Sequence, residues 1–399
     1  MNLYQKQKNN SYSTKVKMLS KLIKNILRFS SWIKIATIVC LICLLLAYLC
    51  PFIHPGTFWP LPFFGLAYPI LFLFSIFFLI VWTLARSKWA LIVLAVILIG
   101  GKLHFRLVAT GENPEITPRI EQTLHVLSYN VRLFDLYNWT MSDLYENKDS
   151  IFSYLKTENP DVLCFQEFYH QDKPTKFSTR DAIREFLNIK DYHERYSHKL
   201  KGRQNFGIAM LSKYPMISKG DVVFLDEDDN NDNYCIYADI VKELDTFRIY
   251  NVHLQSIKFK KDDYAIFGDK ITDNNFEKSQ IRMMLDKLRI AFPKRANQAQ
   301  TVMEHAKKSP YPVIICGDFN DTPLSYTYNQ FNKTLVDAFR NCSSGIGSTY
   351  IGKVPAGRID YIFHSKELNS MDFKIQDGEY SDHRAISCKI FKPIPEITE

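Results

Sequence analysis

Hydrophobic positions fall into two regimes along this chain. From Ile33 to about Ala109 they run almost unbroken, and no polar face interrupts them. From Thr123 onward they come in short runs separated by longer polar stretches. The first regime predicts helices over 33–53, 61–85 and 89–109. Two of these reach the roughly 20 residues that a helix needs to cross a hydrocarbon core. The third is uninterrupted only as far as Gly101, and crosses if Lys102, His104 and Arg106 snorkel at the far interface. The expectation is two or three transmembrane helices over 33–110.

The second regime predicts strands at His125–Tyr129, Val162–Phe165, Gly207–Leu211, Cys235–Val241, Phe247–Val252, Val313–Cys316, Tyr361–Phe363 and Ala385–Phe391, with helices at Asp149–Thr157 and from about Asn275 to Lys308. Many short strands with few long helices suggest an α/β fold in which sheet packs on sheet and helices lie outside.

Charge sharpens the boundary between the regimes. The first acidic residue is Glu112, and the 12 charged side chains before it are all Lys or Arg. From Gly111 onward 38 Lys and Arg face 42 Asp and Glu, a net charge of −4, so the basic total of the chain gives no support to nucleic-acid binding. Residues 1–32 read as a basic cytoplasmic leader and 111–121, with Pro114 and Pro118, as a linker; the soluble domain occupies 122–395. By the positive-inside rule the leader and the Arg86/Lys88 loop lie in the cytoplasm. With three spans the catalytic domain is extracytoplasmic, in a multi-pass protein of the inner cell membrane. Eight cysteines, five of them in the soluble part and none at zinc-ribbon spacing, argue against a disulfide framework or a zinc site.

Polar residues then recur where the strand-like runs end: Asn130, Gln166-Glu167, Asn251 and His253, Asp318 and Asn320, Asp360, and Asp382-His383. Hard oxygen ligands and imidazoles at six strand ends can converge on one divalent cation and one phosphoryl group. Ser128-Tyr129-Asn130, Phe165-Gln166-Glu167, Asn251-Val252-His253-Leu254, Gly317-Asp318-Phe319-Asn320, Gly357-Arg358-Ile359-Asp360-Tyr361-Ile362 and Ser381-Asp382-His383 occur in the order seen in the endonuclease/exonuclease/phosphatase superfamily. The segment Gly202–Pro215, with its Ser-Lys-Tyr-Pro turn, is similar to that family as well. The resemblance covers about Thr123 to Phe391. It implies a DNase-I-like, four-layer α-β-β-α sandwich with the site at one end, and a hydrolase dependent on Mg²⁺ or Mn²⁺.

What the resemblance implies for each residue follows the same order. Glu167 is the principal metal ligand, with Asn130 and Asp382 beside it. His383, held by Asp360, approaches the scissile phosphate and favours the imidazolium form. Asp318 orients or deprotonates the attacking water, and Asn320 hydrogen-bonds a phosphoryl oxygen. His253 is a second imidazole at the phosphate, while Asn251 and Arg203 are substrate-binding candidates. The partners implied are a phosphate-ester substrate and a lipid bilayer met through the N-terminal helices; no obligate protein partner is inferred. A membrane anchor favours a lipid head-group phosphodiester over nucleic acid, and an extracytoplasmic nuclease is the alternative. An inactive membrane-tethered binding module would show substitutions among the six motifs, and none is visible.

Overall fold

The computed structural model describes residues 31–115, 123–137, 145–224, 234–257, 274–352 and 357–393, with side chains of the helix beginning at Asn274 described from 282 onward. The leader, apart from its last two residues, and the second half of the expected linker lie outside these ranges.

Three helices come first: α1 (Ser31–Leu49), α2 (Leu61–Leu84) and α3 (Trp89–Ile99), the last followed by one further turn at Gly101–His104. Two of them, α1 and α2, are long and apolar enough to cross a membrane. Ile70, Leu73, Phe74, Phe77 and Ile80 of α2 recur at helical spacing, and each is more than half exposed, an apolar stripe unsuited to water. The bundle is antiparallel. Leu41, Trp82 and Val93 pack together toward one end, where the Trp82 and Trp89 rings stack. Tyr48, Tyr68 and Leu103 gather at the other end, and His104 hydrogen-bonds the Tyr68 hydroxyl there.

The third segment departs from the expected 89–109. At about 1.5 Å per residue its 11-residue helix falls well short of a ~30 Å hydrocarbon core. Helix ends at the glycine pair Gly100-Gly101 and resumes for a single turn only. Arg106 does not snorkel outward; it is buried, and its Nη2 donates to Asn329 Oδ1 at 2.8 Å. Ala109–Thr110 pairs with Ser344–Gly345, so the chain has joined the soluble domain before residue 111.

That domain contains strands β1 (Thr123–Asn130), β2 (Val162–Gln171), β3 (Asp191–Leu200), β4 (Gln204–Ser212), β5 (Met216–Val222), β6 (Tyr234–Lys242), β7 (Asp245–His253), β8 (Val313–Asp318), β9 (Asp360–His364), β10 (Asn369–Ile375) and β11 (Ile386–Phe391). They form two six-stranded sheets, one in the order β10-β11-β1-β2-β4-β3 and the other running from Val336–Asp337 through β9-β8-β7-β6-β5. Alternate side chains face opposite ways. Val126, Cys164, Ile249, Ile314 and Cys316 meet between the sheets. Leu127, Leu163 and Phe165 turn outward onto helices α4 (Glu146–Glu158) and α5 (Thr179–Leu187). On the far side Tyr250, Val252 and Ile315 turn onto α6 (Asn274–Ala306) and α7 (Tyr326–Asn332). These are the four layers the resemblance implied, and cover on both sheet faces explains why the central strands are apolar throughout.

Each sheet has one parallel pair at its centre, β1 with β2 and β7 with β8. Parallel pairing puts both carboxyl ends at the same edge. In consequence the ends of four strands converge at one end of the sandwich.

Candidate active site

Local backbone features deliver the side chains to that end. In β2 the pairing with β4 shifts register between Phe165 and Phe168, a bulge in which Glu167 adopts a left-handed φ of 47°. The extra residue turns Gln166 into the interior and lifts Glu167 toward the strand edge. Beyond β1, residues 132–135 all have positive φ, a tight turn that aims Arg132 back at the site. Gly317 has φ of 148°, and a Cβ there would lie 1.9 Å from the Val252 carbonyl oxygen. Only glycine lets β7 and β8 approach closely enough to set His253 beside Asp318.

The result is a compact polar cluster. Asn130 Nδ2 donates to Asp318 Oδ2 at 3.1 Å and to Glu167 Oε1 at 3.4 Å, bridging the two sheets. The Nε2 atoms of His253 and His383 each stand 3.7 Å from that same Asp318 Oδ2. His383 Nδ1 hydrogen-bonds the Asp360 carboxylate at 3.0 Å. Asp382 pairs with Arg132 Nε at 3.4 Å, and Ser381 Oγ donates to the Asn130 carbonyl at 2.9 Å, tying the 381–383 segment to the end of β1. His253, His383, Asp318 and Asp360 are buried, while Glu167 and Asp382 are half-buried and line the opening.

Electrostatics divide the cluster. Burial opposes charge on His383, but the Asp360 and Asp318 carboxylates outweigh it and raise its pKa well above the usual imidazole range. Burial, with the neighbouring Asp360, raises the Asp318 carboxyl despite the two imidazoles. Glu167 is pushed up to about 7, first by burial and then by the charge of Asp382. So much anionic oxygen, crowded until its protons are hard to remove, is a donor set that suits a hard divalent cation. One ligand atom each from Asp318, Asp360 and His383 lies within 4.8 Å of the others, close enough to share an ion. We read this trio differently, because Asp360 and Asp318 both favour the protonated ring and a metal needs it neutral. The oxygens of Glu167 and Asp382, which pair with Asn130 and Arg132 rather than with an imidazole, would suit a hard cation better. Asn130 joins them on condition that its amide oxygen, now accepting from Arg132 N at 3.1 Å, also turns to the ion.

Three of the expected residues make their side-chain hydrogen bonds outside the cluster. Asn251 is fully buried: its Nδ2 donates to the carbonyls of Phe165 and Ala209, and its Oδ1 accepts from Gln166 Nε2 at 2.6 Å. Every polar atom of its side chain is engaged between the sheets, two residues before His253 on the same strand. Arg203 lies exposed at the β3–β4 turn with its guanidinium near the Pro174 carbonyl, apart from the cluster. Asn320 is close to the site but does not continue the strand; with φ of 53° its Nδ2 donates to the Leu254 carbonyl at 3.1 Å. Sequence reasoning missed Arg132 and also Thr349, whose Oγ1 accepts from the amides of Ile359 and Asp360 at 3.1 Å. It missed Tyr350 too, whose ring meets His383 edge-on at 5.1 Å. Thr349 and Tyr350 belong to no apolar run, so nothing in the pattern marked them.

A family model described as Endonuclease/Exonuclease/phosphatase family matches residues 127–383, and a second, described as Domain of unknown function (DUF8431), matches 30–107. No curated protein matches the chain. Among solved structures, an endonuclease/exonuclease/phosphatase family protein from Leptotrichia buccalis C-1013-b is 18% identical with a TM-score of 0.48, the match covering 67% of this chain and 99% of that one. A family protein from Bacteroides thetaiotaomicron is also 18% identical, with a TM-score of 0.48 over 68% of this chain and 98% of its own. The human Nocturnin catalytic domain with bound sulfate anion is 18% identical, at a TM-score of 0.47 over 69% and 96%. Likenesses this distant carry no statement about substrate. The family match extends over more than half of the chain and spans the strand ends that build the cluster: this protein belongs to the endonuclease/exonuclease/phosphatase family.

Proposed function

We propose that the protein is a membrane-anchored, divalent-cation-dependent phosphoesterase that cleaves a lipid head-group phosphodiester. The observation that carries the hydrolytic part is His383, held between the Asp360 and Asp318 carboxylates and facing the Glu167–Asp382 opening. Glu167, Asp382 and Asn130 would hold a cation, Mg²⁺ or Mn²⁺ by the hardness of these oxygens, and when bound it would supply Lewis acidity at a phosphoryl oxygen. Asp318 orients water and accepts its proton. His383, kept protonated by its two carboxylates, donates to the oxygen on which charge develops, and Asp360 orients the ring by accepting from Nδ1. His253 adds a second donor beside Asp318, and Asn320 offers a polar contact at the rim. No Ser or Cys nucleophile is called for.

The lipid part rests on the junction with the bundle. Leu324, six residues beyond Asp318, packs with Leu44, Tyr48 and Tyr68 at the end of the bundle where α1 passes into α2. The intervening loop exposes Phe52, Phe58 and Trp59, residues suited to a membrane interface. The chain from Trp89 through the turn at His104 runs back along α2 from Trp82 to Tyr68, and Asn329 bonds the Pro51 carbonyl, so the domain lies at the end of the bundle that carries this loop and away from Arg86 and Lys88. By the positive-inside rule that side is extracytoplasmic. Leu324, six residues from Asp318 in the chain and packed on the bundle, supports a substrate drawn from the bilayer surface.

The test is hydrolysis by the full chain reconstituted in phospholipid vesicles with Mg²⁺ or Mn²⁺, offered phosphatidyl and sphingolipid head-group esters beside duplex DNA and RNA. Glu167→Ala serves as the blank. Head-group release lost in the variant is the expected result. Cleavage of nucleic acid alone would replace the lipid reading with that of an anchored nuclease, and turnover equal in both proteins would remove the site from the chemistry.

A further inference from the structure

Two loops of the second sheet have one end in the candidate site and the other on the bundle. The first leaves β8 at Asp318 and runs through Asn320, Asp321 and Leu324 into α7. The second enters β9 through Arg358 and Ile359 to Asp360. They are fastened to each other: Phe319 N donates to the Ile359 carbonyl at 2.9 Å, and the Tyr361 hydroxyl reaches the carbonyls of both Asp321 and Arg358.

Both are also fastened to the bundle and its exit segment. Asn329 Nδ2 donates to the Pro51 carbonyl at 2.8 Å while its Oδ1 accepts from Arg106. Arg358, paired with Asp337 at 2.7 Å, extends its Nη2 to the Arg106 carbonyl at 3.1 Å. Arg340 Nε donates to the Phe105 carbonyl at 2.9 Å. Leu324 is buried among bundle side chains, and Arg295 of α6, itself buried, stands 4.0 Å from the Asp321 carboxylate. Asn130, Glu167 and Asp382 belong to the other sheet, which the exit segment meets through Asn113 and Asp372 on the edge strand β10, and none of the three is itself bonded to the bundle among the described residues.

From this asymmetry, and resting on the phosphoesterase reading, we infer that the bundle is a positioning element of the active site. Through Arg106 and Asn329 it holds the loops carrying Asp318 and Asp360 in register against the cation-binding side. A shift of the bundle against the domain moves Asp318 and Asp360 together and leaves Glu167 where it is. Arg106 and Asn329 are therefore positioning residues, although neither touches the cluster.

The experiment uses the full chain in lipid nanodiscs and compares the unaltered protein with Arg106→Ala, Asn329→Ala and, as a remote control, Leu244→Ala on the exposed β6–β7 turn. Amide hydrogen exchange is followed by mass spectrometry, and kcat and KM are measured for bis(p-nitrophenyl) phosphate with Mn²⁺. The two junction variants are expected to exchange about tenfold faster over 318–325 and 357–361, with β1 and β2 unchanged, the scale set by one lost buried hydrogen bond. Their kcat falls while KM holds, and Leu244→Ala matches the unaltered protein throughout. Unchanged exchange in the two loops overturns the inference, as does acceleration spread equally over both sheets, the mark of a merely structural role. Absence of Mn²⁺-dependent turnover in the unaltered chain would count against the phosphoesterase reading instead, and the exchange pattern would still decide the coupling.

Discussion

The two sides of the cleft handle charge in opposite ways. On the side of the first sheet, Glu167 and Asp382 are half-buried, their nearby donors are Asn130 Nδ2 and Arg132, and the Glu167 carboxyl is driven up to about 7. On the side of the second sheet, Asp318 and Asp360 are buried deeper yet carry imidazoles as counterions. One side is short of positive charge and the other has a proton to give. A site that must neutralise a phosphate and protonate an oxygen needs both: His383, carried beside Asp382 on the segment leading into β11, reaches across to the second sheet's carboxylates, and the halves are stitched together by Asn130 to Asp318 and His383 to Asp360.

Removing the proton-bearing side should leave the cation side intact. His383→Ala is expected to lower kcat by about 10²–10⁴, the range typical of general acid–base groups, while Mn²⁺ affinity measured by electron paramagnetic resonance stays within about twofold. Loss of Mn²⁺ binding in that variant would erase the division and make His383 a ligand.

A smaller effect separates the cleft from its floor. Asn251→Ala strands Gln166 and two buried carbonyls, so denaturant unfolding should show a loss of about 1–3 kcal/mol with kcat nearly unchanged in the surviving folded protein. A large fall in kcat at unaltered stability would restore Asn251 as a substrate contact.

The mildest test is pH. Below about 7 the cation-free Glu167 is increasingly protonated, and binding must then expel that proton; above 7 it is already ionised. The Kd for Mg²⁺ should therefore rise by up to about tenfold for each unit below pH 7 and level off above it, as followed by calorimetry. A flat profile from pH 5 to 8 would mean that Glu167 does not meet the ion.

The central strands and the cluster were readable in the sequence because burial on both faces writes continuous apolar runs, and because chemistry sits where those runs stop. Val313–Cys316 before Asp318 is such a case. Strands β3, β5 and β10 were not anticipated. They lie at sheet edges or beside them and carry polar faces: Asp191–Leu200 has no fully buried residue, and Met216–Val222 is mostly exposed. The depth of Asn251 was not legible, because a period of two predicts which way a side chain faces but not how deep it lies. The contact of Arg203 with the Pro174 carbonyl was not legible either, because family order fixes neighbours along the chain, not across the fold. Arg358, which stands beside Asp360 in sequence, turns instead to Asp337 and to the chain leaving the bundle. No local pattern encodes that contact, since its partners are distant in sequence.

The bulge in β2 bears on which changes of length the gene can survive. Glu167 reaches the cleft because one residue more stands in β2 than its partner strand requires. Deleting a single codon between Phe165 and Phe168 would restore a regular ladder and keep a well-formed sheet, yet it would remove the kink that lifts the carboxylate. Substitution spectra around position 167 and insertion or deletion spectra should therefore diverge. A neighbour such as Phe168 can be exchanged for another apolar side chain of similar volume, whereas the count of residues in this stretch is as fixed as the identity of the glutamate itself.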